Sequence, residues 1–336
     1  MTGPPARNGR APRDGGPGGA GEPGGAGRSV RVPGPGDLKR AWADVGATLP
    51  PTPLVPTGLA GGALLKLETF QPTGSFKVRG ALAAVAALPP GEPAVTASAG
   101  NHGLAMAYAA SRVGADVTVV VPANASRAKV DGIAAHPVRL VQHGTSYEEA
   151  EAHAMGLPGH YVSPYNDPYV IAGQATIGRE LDVQAADGPL TVIAPVGGGG
   201  LLAGLSLWAR GRDGVRVVGV ESAESPAVSA AVRAGRITEV AVGDTIADGL
   251  TGNLEAGSVT PGLLSGHVEL TSVTDAEIRA ALRALFTAHG LVAEGSGACG
   301  VAAVLAGKVE ITGRAVIVLS GRNITLAAYT AALNRS

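Results

Sequence analysis

Residues 190–201 read Leu190-Thr191-Val192-Ile193-Ala194-Pro195-Val196-Gly197-Gly198-Gly199-Gly200-Leu201. The first seven form a nearly continuous apolar run, the pattern of a parallel strand covered on both faces. Four residues without Cβ follow, and an apolar helical stretch opens at Leu201. A strand that runs through glycine into a helix is one βα unit of an α/β sheet. An ordinary βα turn needs one glycine. Four in a row let successive backbone N–H groups turn toward one point, and at a helix N-terminus that point attracts an anion, typically a phosphate. The spacing is not Gly-x-Gly-x-x-Gly, which argues against a dinucleotide cofactor. It also lacks the Lys-Ser/Thr of a nucleotide P-loop.

The same βα rhythm runs outward in both directions. Ala94–Ala97, Val117–Val121, Val138–Val141, Val215–Val220 and Ala315–Leu319 read as further buried strands, each bounded by Gly, Pro, Asp or a polar turn. Helices are expected between them. Ser146 with Glu149 and Thr274 with Glu277 are spaced as capping boxes. Gly290 suits the C′ position of the second helix, which is expected to end at His289. Pro89-Pro90-Gly91 ends another. The strands fall into two sets, about 97–165 and about 190–320, preceded by a segment over 37–96. The expected fold is α/β: two interleaved, doubly wound domains with a cleft between them. The large one takes 37–96 plus 166–336 and the small one 97–165.

The chain has 336 residues, 45% hydrophobic and 16% charged, with a formal net charge of -1. Such a chain can bury a large core, and its charge gives no reason to expect a nucleic acid or a membrane surface as partner. Residues 1–36 differ: they hold 12 Gly and 7 Pro and carry a charge of +3. A disordered tail is expected there, since so little apolar surface cannot offset ordering entropy. The lone Cys299 excludes an intrachain disulfide framework and reads as a buried small residue in a Gly/Ala helix. His136, His143, His153, His160, His267 and His289 are scattered without metal spacing. No apolar run reaches the roughly 18 residues of a membrane helix, and no signal segment opens the chain. A cytoplasmic protein is expected.

Two more stretches carry chemistry. Gln71-Pro72-Thr73-Gly74-Ser75-Phe76-Lys77-Val78-Arg79-Gly80 leads into a helix whose apolar face is Val78, Leu82 and Val85, with Ser75 as the expected N-cap. Lys77 then stands in the first turn, where the helix dipole disfavours a cation. A lysine with a depressed pKa is what Schiff-base chemistry requires. Thr96-Ala97-Ser98-Ala99-Gly100-Asn101-His102-Gly103 joins a strand to a helix and makes a second anion cradle, with a capped turn on Ser98 or Asn101 as the plainer reading. A phosphate cradle, a reactive lysine and a carboxylate cradle together point to pyridoxal 5'-phosphate.

On these stretches the chain resembles the threonine/serine dehydratases and serine racemases, pyridoxal-phosphate enzymes related to tryptophan synthase β. The resemblance runs from Pro51-Thr52-Pro53-Leu54 to Leu319-Ser320-Gly321-Arg322-Asn323. It includes Lys66-Leu67-Glu68, Ser163-Pro164-Tyr165-Asn166-Asp167, Gly219-Val220-Glu221, Thr245-Ile246-Ala247-Asp248-Gly249 and Glu294. It implies the type II pyridoxal-phosphate fold with the cofactor in the cleft. Lys77 would hold the cofactor and move the Cα proton. Phe76 would pack on the pyridine ring and Asn101 would meet the ring hydroxyl. Gly197, Gly198, Gly199, Gly200 and the Leu201 amide would bind the phosphate, and Ser320 would face the ring nitrogen. A hydroxyl at Ser320, rather than a carboxylate, favours elimination over transamination. Ser98, Asn101 and His102 would hold the substrate carboxylate. Glu294 would lie by the cofactor, unless it caps the helix that follows. Asp248 reads as structural.

The implied activity is deamination of L-threonine to 2-oxobutanoate or L-serine to pyruvate, with ammonia, by a homodimer or higher homo-oligomer. Alternatives are a serine or hydroxyaspartate racemase, or a non-catalytic pyridoxal-phosphate binding protein. The divalent-cation site of some relatives is expected to be lost. Glu221 is a weak metal candidate: relatives add a carbonyl four residues on, here Ser225, and an acidic side chain six on, here Ala227, so one carboxylate of the set survives. Racemisation is expected to be minor, since Ala99 stands where racemases of the family place a serine. The chain ends 13 residues after Asn323, so feedback by isoleucine through an appended domain is not expected.

Overall fold

The computed structural model describes residues 1–3, 30–59, 62–185 and 188–334. The expected tail lies mostly outside these. Its last residues are already helical, because α1 (Pro35–Gly46) starts with Pro35 at N1, and Asp37 accepts from Gly34 N while pairing with Arg31. β1 (Leu54–Pro56) and β2 (Leu64–Leu67) follow, then α2 (Lys77–Ala87), β3 (Ala94–Ala97), α3 (Asn101–Val113), β4 (Val117–Val121), α4 (Arg127–Ala134), β5 (Arg139–Gln142), α5 (Tyr147–Met155) and β6 (His160–Tyr161). The chain continues through α6 (Pro168–Gln174), α7 (Thr176–Gln184), β7 (Leu190–Pro195), α8 (Gly200–Ala209), β8 (Val215–Ser222), α9 (Ala227–Ala234) and α10 (Thr260–Leu264). It closes with β9 (Glu269–Val273), α11 (Asp275–His289), α12 (Gly295–Leu305), β10 (Arg314–Leu319) and α13 (Leu326–Asn334).

Two sheets form, ordered β1-β2-β10-β7-β8-β9 and β5-β4-β3-β6. All neighbours are parallel except β1 on β2. Strand β2, early in the chain, pairs with β10, the last strand, so the large sheet is interleaved around the small one. β7 is buried along its whole length, and apolar side chains pack on each face of the large sheet, from α11 and α12 on one side and from α7, α8 and α9 on the other. That double cover explains the continuous apolar runs. The small sheet holds all of β3, so a boundary at 96/97 falls inside a strand.

Four strands escape the sequence pattern for physical reasons. β6 is two residues long, β1 contains Pro56, and β9 is a partly exposed edge. β2 reads Leu-Leu-Lys-Leu, and a charge interrupts its apolar run. Lys66 is nevertheless fully buried, within a neutral cluster of two cations and two carboxylates. Its Nζ donates to Glu180, Gln184 and the Thr52 carbonyl at 2.5, 2.7 and 2.7 Å. Arg79 Nε and Nη2 reach Glu68 at 2.7 and 2.8 Å, and Nη1 reaches Glu180 at 2.6 Å. The cluster ties β2 and α2 to α7.

Capping differs from expectation at α2 and at α5. α2 begins at Lys77 with Phe76 in the N-cap position, not Ser75. Ser75 is drawn instead into a bridge with Gly321, and its buried hydroxyl finds no partner among the described residues. At α5, Ser146 accepts from Glu149 N, but the Glu149 carboxylate reaches back to Thr145 N rather than closing the box. The Thr274 and Glu277 box closes fully, and Gly290 ends α11 at φ 63°.

Candidate active site

Three chain segments meet at the cleft. The loop before α2 is zipped to the loop after β10: Phe76 N donates to Ser320 O at 3.0 Å and Arg322 N to Gly74 O at 2.9 Å. Gly74 makes the turn at φ +74°, where a side chain would be strained. This zipper brings the Ser320 backbone against Phe76, the residue before Lys77. Lys77 Nζ donates to the carbonyl of Pro164 at 2.8 Å, its one hydrogen bond among the described residues, and sits 5.3 Å from the centre of the Phe76 ring. Pro164 is in turn held by its own loop. Asp167 caps α6 through Tyr169 N and Val170 N, and Ser163 and Asn166 both bond the Glu255 carboxylate. Burial lowers the Lys77 pKa to about 8, with Glu294 pulling the other way. Lys66, the other lysine of the motif region, has its donors saturated; Lys77 has donors to spare.

The glycine loop is built as the sequence reading predicts, with an addition. A Cβ on Gly198 would lie 2.3 Å from the Tyr165 ring, one on Gly200 2.7 Å from Tyr165 O, and one on Gly197 3.1 Å from Leu250 Cα. Gly199 adopts φ +89°. The missing side chains are thus filled by protein as well as leaving the backbone open. Among the described residues, the N–H groups of Gly197, Gly198, Gly199, Gly200 and Leu201 meet no acceptor from the chain. A cluster of unsatisfied N–H groups at the start of α8 fits a phosphate dianion.

The second cradle opens α3. Gly100, not Ser98 or Asn101, is its N-cap, and the Ser98 hydroxyl accepts from Gly100 N at 3.2 Å. A Cβ on Gly103 would strike Ser98 O at 2.0 Å, so the loop folds tightly onto the helix start. The His102 imidazole is turned inward. It is 2% exposed, with Nε2 3.3 Å from Val162 O and Nδ1 without a partner. Burial, and then Lys77, lower its pKa to about 3, so it is neutral.

Asn101 reaches across the cleft. Its Nδ2 donates to Glu294 Oε1 at 2.8 Å, and its Oδ1 accepts from Asn323 Nδ2 at 2.6 Å. Glu294 occupies the N-cap position of α12 yet makes no capping bond with its side chain. Burial, and then Asp248, raise its pKa to about 7, while the Asn101 bond lowers it. Asp248 lies at the cleft mouth, 3.7 Å from Lys129 of α4. Cys299 is buried in α12, and its thiol pKa is raised by that burial.

Glu221 has another task. Its carboxylate accepts from Val228 N at 2.8 Å and Ser229 N at 3.2 Å, capping α9. No group of three metal-ligating side chains occurs among the described residues, and no helix there is long and apolar enough to cross a membrane. Three contributors carried no assigned role in the sequence reading: the Pro164 carbonyl, Asn323 and Tyr165. All fall in stretches that carry the resemblance, and only their positions reveal what they touch.

An L-threonine ammonia-lyase of Thermotoga maritima is 39% identical over 277 residues, which cover 79% of this chain and 68% of that protein. Among solved structures, a threonine deaminase from T.th. has a TM-score of 0.81 at 34% identity, covering 88% of this chain and 99% of that one. Maize serine racemase has a TM-score of 0.82 at 27% identity, covering 90% and 97%. These neighbours share the type II pyridoxal-phosphate fold expected from the sequence. The family profile described as pyridoxal-phosphate dependent enzyme matches residues 47–321, a span that takes in the glycine loop, Lys77, Asn101, Glu294 and Ser320. With open backbone N–H groups at the start of α8, a buried lysine of lowered pKa and this profile match over most of its length, the chain belongs to the family of pyridoxal-phosphate dependent enzymes.

Proposed function

We propose that this enzyme deaminates a β-hydroxy amino acid, L-threonine or L-serine, to 2-oxobutanoate or pyruvate and ammonia. The carrying observation is Lys77, whose Nζ is held by one backbone carbonyl and whose pKa is lowered to about 8. Such an amine is nucleophilic and can act as a base near neutral pH. The names of the relatives at 34–39% identity support the substrate class.

The cofactor, when bound, supplies an aldehyde that links to amines and a ring that takes up negative charge from Cα. The N–H groups of Gly197–Leu201 would hold its phosphate, Asn101 its ring oxygen, Phe76 its ring face and Ser320 its ring nitrogen. Lys77 would give up its place to the substrate amine and then take the Cα proton. The backbone N–H groups opening α3, with Ser98, would hold the substrate carboxylate and so aim the Cα–H bond. The uncharged Ser320 hydroxyl leaves the ring nitrogen without a counter-charge, which favours prompt loss of the β-hydroxyl. We read the active unit as two lobes, 37–96 with 166–336 and 97–165, with β3 counted in the smaller. A homodimer belongs to this reading, and sedimentation of the purified protein tests it.

Incubation with L-threonine or L-serine should release a 2-oxo acid and ammonia in equal amounts. Absence of both with all hydroxy amino acids tried would sink the reading. Racemisation is the second reading, favoured by the serine racemase neighbours. Inverting Cα needs a proton donor on the face opposite the lysine, and the side chain of Ala99 has none. D-serine should therefore form far more slowly than pyruvate. Equal rates would promote racemisation, and Ala99→Ser should raise D-serine.

A further inference from the structure

Glu294 is a carboxylate in a cleft of cofactor-binding residues, yet its contacts run to another side chain. Four observations define it. Asn101 Nδ2 donates to Glu294 Oε1 at 2.8 Å. Asn323 Nδ2 donates to Asn101 Oδ1 at 2.6 Å and to the Thr73 carbonyl at 2.8 Å. Glu294 N is tied to Gly321 O at 3.1 Å. A Cβ on Gly321 would lie 2.3 Å from Glu294 Oε1, so only glycine leaves room for the carboxylate there.

A primary amide can be turned over, exchanging its donor and acceptor ends. Here the two ends of the hydrogen-bonded row decide the matter. The Thr73 carbonyl only accepts, so the Asn323 amide must present nitrogen to it, and its second N–H then faces Asn101. Glu294 Oε1 accepts from Asn101 Nδ2, and a carboxyl group keeps an accepting oxygen whether or not it is ionised, so Asn101 presents nitrogen to it. Asn101 Oδ1 is thereby directed at Asn323, and one N–H of Asn101 is left over. That N–H belongs to a residue on the small lobe, held from two sides by residues of the large lobe.

We propose that Glu294 is a positioning residue that acts through Asn101: its carboxylate fixes the amide so that the remaining N–H, rather than the carbonyl oxygen, meets the ring oxygen of bound pyridoxal phosphate. Without that acceptor the bond from Asn323 alone resists a turn of the amide, and a turned amide would set its oxygen against the ring oxygen. The inference rests on the cleft being the pyridoxal-phosphate site, and it removes Glu294 from the residues that touch the cofactor themselves.

The test is a double-mutant cycle on cofactor affinity. Pyridoxal phosphate is titrated into cofactor-free wild type, E294A, N101A and the double variant, following the visible absorption band. The cofactor-free proteins are first compared by thermal unfolding, so that an unfolded variant is recognised. E294A and N101A should each weaken binding by about tenfold, one hydrogen bond's worth. The double variant should bind no more weakly than N101A alone. E294Q, which keeps an acceptor oxygen, should bind within about threefold of wild type, as expected if acceptance is what matters. Overturning results are a double variant whose loss is the product of the two single losses, or an E294A protein that binds like wild type. If E294A or N101A is too unstable to titrate, E294L or N101S takes its place in the same cycle. Failure of wild type to bind pyridoxal phosphate at all would instead remove the proposed function, so the two failures are distinguishable.

Discussion

Lys66 donates to Glu180, Gln184 and Thr52 O, whereas Lys77 holds a single bond to Pro164 O. The same side chain is inert in the first setting and available in the second, because a saturated, ion-paired ammonium has neither lone pair nor freedom. Borohydride reduction of the holoenzyme followed by peptide mapping should place the pyridoxyl group on Lys77. Lys77→Ala should cost at least about a thousandfold in turnover, since it removes the covalent link and the base together. Glu294 supplies a pH signature. Its folded pKa of about 7 lies above the ordinary 4.5, so between these values the folded chain holds a proton that the unfolded chain has released. Stability from this group is present below pH 4.5 and is lost as pH rises through about 7, by at most about 3 kcal/mol. Urea unfolding of the cofactor-free protein from pH 4.5 to 7.5 should show that slope, and Glu294→Gln should flatten it.

At the scale of elements, the glycine loop and α8 work as one unit with Tyr165. Gly198 faces the Tyr165 ring, and Tyr165 OH accepts from Glu255 N at 2.6 Å, so the ring cannot easily withdraw. Gly198→Ala should therefore destabilise the protein by about 1–3 kcal/mol through overpacking. It should also weaken pyridoxal phosphate binding, read by absorbance titration, because the N–H groups shift with the loop. The second change Tyr165→Ala should restore part of the stability. Much of this element was legible beforehand: the strand, the four glycines and the helix follow from apolar run, missing Cβ and restored periodicity. The Tyr165 contact was not, because it joins positions far apart in the chain. Ser75 shows the reverse case. Its N-cap propensity is real, but pairing with Gly321 and the bond from Phe76 N to Ser320 O override it.

Across the whole molecule, β2 pairs with β10, and the strands of the small sheet fall between β2 and β7 in the chain. The buried cluster of Lys66, Glu68, Arg79 and Glu180 sits where the lobes' supports meet, at the base of α2 two residues from Lys77. Its charges cancel, which is what permits ions there at all. Glu68→Gln leaves the fully buried Arg79 short of a partner and should destabilise the fold by about 3–5 kcal/mol, measured by urea denaturation. α2 also packs closely on α6: a Cβ on Gly173 would come within 2.5 Å of Arg79 O. Lys77 is thus carried on a helix held by charge on one side and by close backbone contact on the other.

Local chemistry was readable along the chain. The parallel strands of the core, the glycine loop, the first-turn position of Lys77 and the capping box of α11 follow from period, Cβ chemistry and hydrogen-bonding capacity, all short-range properties. The glycine loop, Lys77 and the second loop pointed to pyridoxal phosphate, and the family resemblance carried by the motifs implied the type II fold. Contacts between remote segments were not readable. Pairing of β2 with β10, the inward turn of His102, the capping of α9 by Glu221 and the bond from Asn101 to Glu294 each depend on which distant backbone or side chain arrives nearby. A carboxylate reads alike in sequence whether it will cap a helix, pair a buried arginine or orient an amide. The difference lies in its surroundings, which exist once remote segments of the chain have packed together.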